Sequence, residues 1–417
     1  MYMKTILSKR TNCRLCENKD LELVVPLSPT PVAEKYLTKD QLNQKETICP
    51  LDLYICKSCG HVQLLDIVDP EFLYSDYTYS SGNSSGLVKH FKEYAENIIK
   101  KYNPNNKSLV VDIGSNDGTL LSFFKKYGLN VLGVDPAEEI AEKATSNGIK
   151  TLPEFMNFNL SKYIKNNYGL ADIVTANNAF AHGDDLIGML KSIKNIMKPD
   201  GIFVFEVSYL LDVIEKILLG TIFHEHHSYH SLKPLVKFMK SFNMEIIDVE
   251  RVSIQGGSLI GTAQIVGGPN KVSSSVEKLI KLEEEKELDN PETLKKFSNK
   301  ISKLREDLSK EFKKLKKEGK TIVGYGAARS GTTLITQMGL GKLIDYIVDD
   351  SDQKQGRYTP GDHIIVKPTN TIYKKKPDFV FILAWIHAKN IMDNNKKYLE
   401  QGGCFITCFP KIKITKK

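Results

Sequence analysis

Two Cys-x-x-Cys pairs, Cys13 with Cys16 and Cys56 with Cys59, stand 39 residues apart near the start of the chain. A two-residue spacer lets both sulfurs of a pair reach one ion while backbone amides point at them. Two such pairs complete a tetrahedral set of thiolates closed to water. That closure predicts a structural Zn2+ ion, which a small segment with few large apolar residues needs as a staple. A disulfide is the competing use of these thiols and is disfavoured in a reducing compartment. A redox dithiol would not need the second pair. Cys49 and His61 lie near enough in sequence to substitute as ligands. Cys404 and Cys408 fall in a late apolar run and are expected to be core residues.

A second chemistry is written at Val110-Val111-Asp112-Ile113-Gly114-Ser115-Asn116-Asp117-Gly118, a buried strand followed by a glycine-rich turn and a helix start. Gly114 and Gly118 let the backbone approach a ligand at the carboxyl end of a strand, where open α/β sheets bind. The spacing lacks the Gly-x-Gly-x-x-Gly of a pyrophosphate grip and the Lys of a P-loop. Asp112, with Asn116 and Asp117, suits a cationic or amino-acid-bearing cofactor better than phosphates. Seventeen residues after Gly118, Asp135-Pro136 ends the next strand, where a carboxylate accepts hydrogen bonds from ribose hydroxyls. A third strand ends in Asn177-Asn178, followed by His182, all expected at the same crevice. The pair of motifs resembles the S-adenosylmethionine site of class I methyltransferases.

Acid–base chemistry is concentrated at Thr221-Ile222-Phe223-His224-Glu225-His226-His227-Ser228-Tyr229-His230, which holds four of the nine histidines. A zinc-protease motif is excluded, because no two of its histidines have a Glu between them at the required helical spacing. As an extended segment it would put His224 and His226 on one face and Glu225 on the other. A general base near neutrality is a histidine oriented by a carboxylate or hydroxyl. Tyr74, Tyr77 and Tyr79 cluster phenols in a Ser/Gly loop, suited to stacking on a ring and donating to an oxygen. Far along the chain, a turn at Gly324-Tyr325-Gly326 with Asp349-Asp350 after the next strand forms a second, weaker nucleotide-type pattern.

The elements that must position these groups alternate apolar runs with helical patterns, as parallel βαβ sheets require. Short strands are expected at 21–25, 51–55 and 61–65, and a helix over 86–101. Strands follow at 109–113, 130–134, 173–177 and 201–207, with later ones near 244–250 and 259–265. The charged stretch 273–318 has apolar residues at helical spacing and Pro291 as a break, predicting one or two long amphipathic helices. A second α/β unit has strands at 321–325, 344–348, 379–383 and about 404–409. The expected architecture is thus α/β with a zinc-binding segment (1–66), a Rossmann-like domain (67–272), a helical connection (273–318) and a second Rossmann-like domain (319–417).

Composition narrows the function. The 417 residues are 41% apolar and 26% charged, an ordinary globular balance. Apolar runs such as 202–207 and 379–386 fall far short of the roughly 18 residues of a membrane span. Met1-Tyr2-Met3-Lys4 has no apolar leader, so a cytoplasmic protein without a membrane partner is expected. The net charge of +8 comes from 58 basic against 50 acidic residues, without an arginine-rich arm. That argues against a nucleic-acid partner and fits a phosphorylated small molecule.

Together these residues resemble one family, the S-adenosylmethionine-dependent C-methyltransferases that act on nucleotide-linked keto-sugars in deoxysugar biosynthesis, of the tetronitrose C-3 methyltransferase type. The resemblance spans nearly the whole chain, including Gly324-Tyr325-Gly326-Ala327-Ala328 and Lys354-Gln355-Gly356-Arg357-Tyr358. It implies that His226 removes the proton at C3 of a 4-keto-sugar and that Glu225 orients it or holds substrate. Tyr77 or Tyr79, with His182, would contact the sugar. Phe223 departs from the family's usual Tyr, so either another group such as Tyr229 or His224 supplies the missing donor or the substrate differs at that carbon. Tyr325, Arg329, Lys354 and Tyr358 would help hold the diphosphate of a dTDP-, GDP- or CDP-sugar. A monomer is expected. O- or N-methylation, a zinc-containing RNA-modifying protein and an inactive nucleotide-sugar binder are the alternatives.

Overall fold

A computed structural model describes residues 6–74 and 80–417. Near the N-terminus, β1 (Leu21–Val25), β2 (Leu53–Cys56) and β3 (Val62–Leu64) form antiparallel pairs. Helix α1 (Ser85–Tyr102) then leads into the central sheet. Its Ser84 N-cap accepts from the Leu87 amide, and its apolar stripe Leu87, Phe91, Tyr94 and Ile98 is buried.

The central sheet contains β4 (Leu109–Ile113), β5 (Asn130–Val134), β6 (Thr151–Leu152), β7 (Ala171–Asn177) and β8 (Met197–Ser208). Helix α2 (Thr119–Lys126) follows the first glycine-rich turn. After the short strand β9 (Ser228–Tyr229) come α3 (Leu232–Ser241) and the strands β10 (Met244–Val252) and β11 (Ser258–Ile265). The order across the sheet is β6-β5-β4-β7-β8-β11-β10. The first five strands run parallel, and β11 pairs antiparallel with both β8 and β10, so that it alone is reversed in this sheet. Strand order reverses between β4 and β7, so their carboxyl ends splay apart into a crevice.

The charged stretch resolves into α4 (Ser274–Glu285) and α5 (Pro291–Lys317). Asn290 caps α5 and Pro291 occupies its first turn, where a missing N–H costs nothing. Leu294, Phe297, Ile301, Leu304, Leu308, Phe312 and Leu315 form one buried stripe, which packs against β1 and against α6 (Arg329–Met338). The C-terminal sheet combines β12 (Ile322–Tyr325), β13 (Ile347–Asp349), β14 (Val366–Pro368), β15 (Phe379–Ile382), β16 (Cys404–Thr407) and β17 (Lys413–Thr415). Its order is β14-β13-β12-β15-β16-β17, with only the final edge pair antiparallel.

Two features depart from expectation. Strands β6, β9, β14 and β17 are only two or three residues long, too short for an apolar period to announce them. The N-terminal sheet has the order β9-β3-β2-β1, so its edge strand comes from the histidine segment more than 160 residues downstream, as in Ser228 opposite Gln63.

Candidate active site

The sulfurs of Cys13, Cys16, Cys56 and Cys59 lie within 4.8 Å of one another. The cross pairs Cys13–Cys59 and Cys16–Cys56 are separated by 3.6 and 3.5 Å. Four sulfurs at zinc-bond length around a tetrahedral ion stand about 3.8 Å apart, so the cluster fits Zn2+ with little adjustment. Cys49 and His61 stand outside the cluster. His61 instead bonds Ser228 Oγ at 3.1 Å. Cys408 is buried in the C-terminal core, with Cys404 partly buried against it.

The crevices of the central and C-terminal sheets open into one cavity of about 1440 Å³. That exceeds the usual volume for a single small ligand and leaves room for two molecules side by side. On the central-sheet side, Asp112, Gly114, Asn116, Asp135, Pro136, Asn177 and Asn178 all line it. Gly114 has φ +72°, and a Cβ there would lie 2.6 Å from the Cβ of Ala179, so no other residue fits. The Asn116 and Ala137 amides donate to the two oxygens of Asp135 at 2.8 and 2.9 Å. Each oxygen keeps a second lone pair for a hydroxyl. The Asn177 side chain is buried at the cavity, with the Tyr94 hydroxyl beside it. Burial pushes Asp112 up to about 7, against a hydrogen bond from Thr175 Oγ1 at 2.6 Å.

Asp117 and Gly118 do not line the cavity with these residues. Asp117 is a staple: it accepts from Ser80 Oγ, from the Gly82 amide at 2.8 Å and from Thr119 Oγ1 at 2.6 Å. Asn116 Oδ1 adds a bond from the Ser81 amide, so segment 80–82 is tied over the glycine turn. Tyr77 and Tyr79 lie outside the described residues. Sequence reasoning missed Glu154, Phe155 and Met156 beyond β6, and His90 on α1, which also line the cavity. Their only sequence signal was the short Thr151-Leu152-Pro153 run.

The histidine segment is a tight turn, not an extended strand. The His226 amide donates to the Phe223 carbonyl at 2.9 Å, bringing the two rings to 4.0 Å. His226, Phe223, Thr221 and His227 face the cavity, with His182 ring-to-ring at 4.8 Å from His226. His224 turns away towards the Cys49 carbonyl at 3.3 Å, and Tyr229 is buried outside the lining. Glu225 does not orient His226; it accepts from Arg329 Nη1 at 2.8 Å. The orienting group is the Thr221 carbonyl, 2.8 Å from His226 Nδ1. A carbonyl can only accept, so Nδ1 carries the proton and Nε2 is left as the basic lone pair. Burial pushes His226 down to about 4, so the ring is neutral at physiological pH.

From the C-terminal sheet, Arg329 and Lys354 line the cavity. Lys354 bonds the Ala327 carbonyl at 2.6 Å and pairs with Glu34 at 2.8 Å. Asp349 accepts from the Ala327 amide at 2.6 Å and is also at the cavity. Tyr325 and Tyr358 are not. Tyr325 points to Asp350 and Asn395 within the sheet's own core, and Tyr358 pairs backbone-to-backbone with Leu37. Trp385, the single tryptophan, packs over Gly220 and Gly256, where a Cβ would lie 2.2 and 2.7 Å from the indole.

A glycine turn, a ribose-type carboxylate and a buried asparagine amide on this sheet order define a class I methyltransferase. Residues 13–74 match a zinc binding domain model, 88–249 a methyltransferase domain and 253–410 a C-methyltransferase C-terminal domain. The C-methyltransferase NovU of Streptomyces niveus is 30% identical over 413 residues, 99% of this chain and 98% of that protein. The ubiquinone biosynthesis O-methyltransferase of Vibrio parahaemolyticus is 27% identical over 161 residues, 35% of this chain and 66% of its own. A solved S-adenosylmethionine-dependent methyltransferase of Clostridium acetobutylicum is similar at 14% identity and a TM-score of 0.36, over 47% of this chain and 96% of its own. The chain belongs to the S-adenosylmethionine-dependent C-methyltransferases built from these three domains, and its four-cysteine cluster is the zinc site. Among the described residues no helix is long and apolar enough to cross a membrane.

Proposed function

We propose that the protein methylates carbon 3 of a nucleotide-linked 4-keto-deoxysugar, with His226 as the base. The observation that carries this reading is the Thr221 carbonyl on His226 Nδ1, which leaves Nε2 unprotonated in a cavity large enough for cofactor and substrate together. When bound, S-adenosylmethionine supplies an electrophilic sulfonium methyl. Gly114, Asn116, Asp135 and Asn177 would hold its nucleoside and amino-acid parts, and Asp112 would balance its positive charge. A ketone acidifies the carbon beside it, and His226 Nε2 takes that proton. His182 and the Arg329 guanidinium supply polar character near the developing enolate, in place of the phenol that Phe223 lacks. On the C-terminal side of the cavity, Lys354 and Arg329 are cations that a diphosphate could use, in competition with Glu34. The four-thiolate zinc site has no open position and takes no part in the chemistry.

The test is mass spectrometry after incubation with S-adenosylmethionine and dTDP-, GDP- or CDP-4-keto-sugars in deuterated water. Wild-type protein should replace the C3 hydrogen of a keto-sugar by one methyl, and without S-adenosylmethionine should exchange that hydrogen for deuterium. His226→Ala should lower both rates by about 10²- to 10⁴-fold while binding S-adenosylmethionine as before. Methyl transfer to oxygen or nitrogen, or retention of RNA at low salt without sugar turnover, would overturn the reading.

A further inference from the structure

The zinc-bearing sheet is built into the active site, not appended to it. Its edge strand is β9, which immediately follows His226 and His227, and the Leu64 amide donates to the His227 carbonyl at 2.9 Å. Between two of the zinc cysteines lies Arg14, whose side chain has no exposed surface. Its Nη1 donates to the Leu64 carbonyl, to Gln63 Oε1 at 3.2 Å and to the His227 carbonyl at 3.4 Å. Its Nε and Nη2 both lie 3.1 Å from Asp184 Oδ1. Asp184 follows His182 on the loop after β7, and the Ser228 amide donates to the Ala181 carbonyl of that loop at 3.1 Å. One guanidinium thus joins the cysteine knuckle, the β3 edge, the histidine turn and the His182 loop. By contrast, the glycine turn is fixed by β5 and Asp135: the Gly114 amide donates to the Val134 carbonyl, and the Asn116 amide to Asp135.

We infer that Arg14 is a positioning residue for proton abstraction: held in place by the zinc knuckle, it locks the His226 turn against the His182 loop, while the cofactor half of the cavity is set independently. A planar guanidinium holds five donors in one rigid fork, against the three rotatable donors of an ammonium and the two of an amide. The inference rests on the assignment of His226 as base, and its test is chosen to separate the two.

Full-length, zinc-loaded Arg14→Gln should keep its zinc and bind S-adenosylmethionine within about twofold of wild type. Amide exchange over 220–231 and 61–65 should become about tenfold faster, with 109–118 unchanged. The His226 Nδ1 proton resonance should broaden or shift as its Thr221 partner moves. Asp184→Asn, which keeps the shape and removes the negative charge that Arg14 shares with Arg10 at Oδ1, should act in the same direction if Arg14→Gln does not fold. Unchanged protection of 220–231 in the folded variants, or equal loosening of 109–118, would overturn the inference. If His226→Ala still exchanges the C3 hydrogen of a dTDP-4-keto-sugar, the base assignment fails. The protein-exchange result, which involves no substrate, then still decides whether Arg14 locks the turn.

Discussion

Asp112 shows how one buried group can tune cofactor binding. Its carboxyl sits at the end of β4, closed off from water, and burial pushes it up to about 7. In the free protein it is therefore half protonated near neutrality. A sulfonium cation and an ammonium in the same cavity favour the ionised form. Affinity for S-adenosylmethionine should accordingly rise from pH 5.5 to about 7 and then level off, with a slope of up to tenfold per pH unit. In Asp112→Asn the affinity should be lower at pH 7.5 and the slope below pH 7 should vanish. Calorimetric titration across pH checks this. An identical slope in the variant would assign it to another group.

Among the helices, α4 does more than connect. Glu283 is 2% exposed within the run Glu283-Glu284-Glu285. Its carboxylate accepts from Tyr209 Oη at 2.9 Å and from the Leu232 and Lys233 amides at 2.6 and 2.9 Å. The last two are the first amides of α3, whose own Ser231 N-cap makes no side-chain bond. A charged residue of one helix thus caps another, directly after the histidine segment. Glu283→Ala leaves three donors unpaired and should cost about 3 kcal/mol in urea unfolding. Glu284→Ala removes only an exposed pair with Lys233 and should cost less than about 1 kcal/mol. Equal effects of the two would refute the cap.

Across the molecule, burying so many histidines has a consequence for acid stability. His182, His224, His226, His227 and His230 are all lowered from their ordinary value, burial being the largest cause in each. The unfolded chain takes up protons at these sites below about 6.5, whereas the folded chain keeps them neutral. Their contribution is present above pH 6.5 and is lost as pH falls through their folded values, which are about 4 for His226 and about 3 for His227. Each such histidine adds about 1.4 kcal/mol per pH unit to the slope. Buried carboxyls with raised values, Asp112 foremost, act in the opposite direction and reduce the slope. The urea midpoint should drop steadily between pH 6.5 and 5. A midpoint constant over that range would contradict the neutral, buried state of the cluster.

Much of this was legible in the chain because it is local. The Cys-x-x-Cys pairs, the strand-turn-helix at Asp112 to Gly118, Asp135 at the next strand end and the α5 stripe each follow from spacing along a few residues. Spacing also marked the histidine segment as chemical, but it put His224 on the same face as His226, whereas the structure turns His224 away and leaves His226 and His227 at the cavity. It could not say what His226 leans on, because the turn at Phe223 to His226 depends on packing that the segment does not contain. Glu225 meets Arg329 across 104 residues and Arg14 meets His227 across 213. β9 is too short to show a period, and only its partner Val62–Leu64 makes it a strand. Side-chain type and short-range period are properties of the sequence, so they fix which groups are available. Which of them face one cavity is set by long-range burial of the sheets, and burial also decides which of those groups stay uncharged.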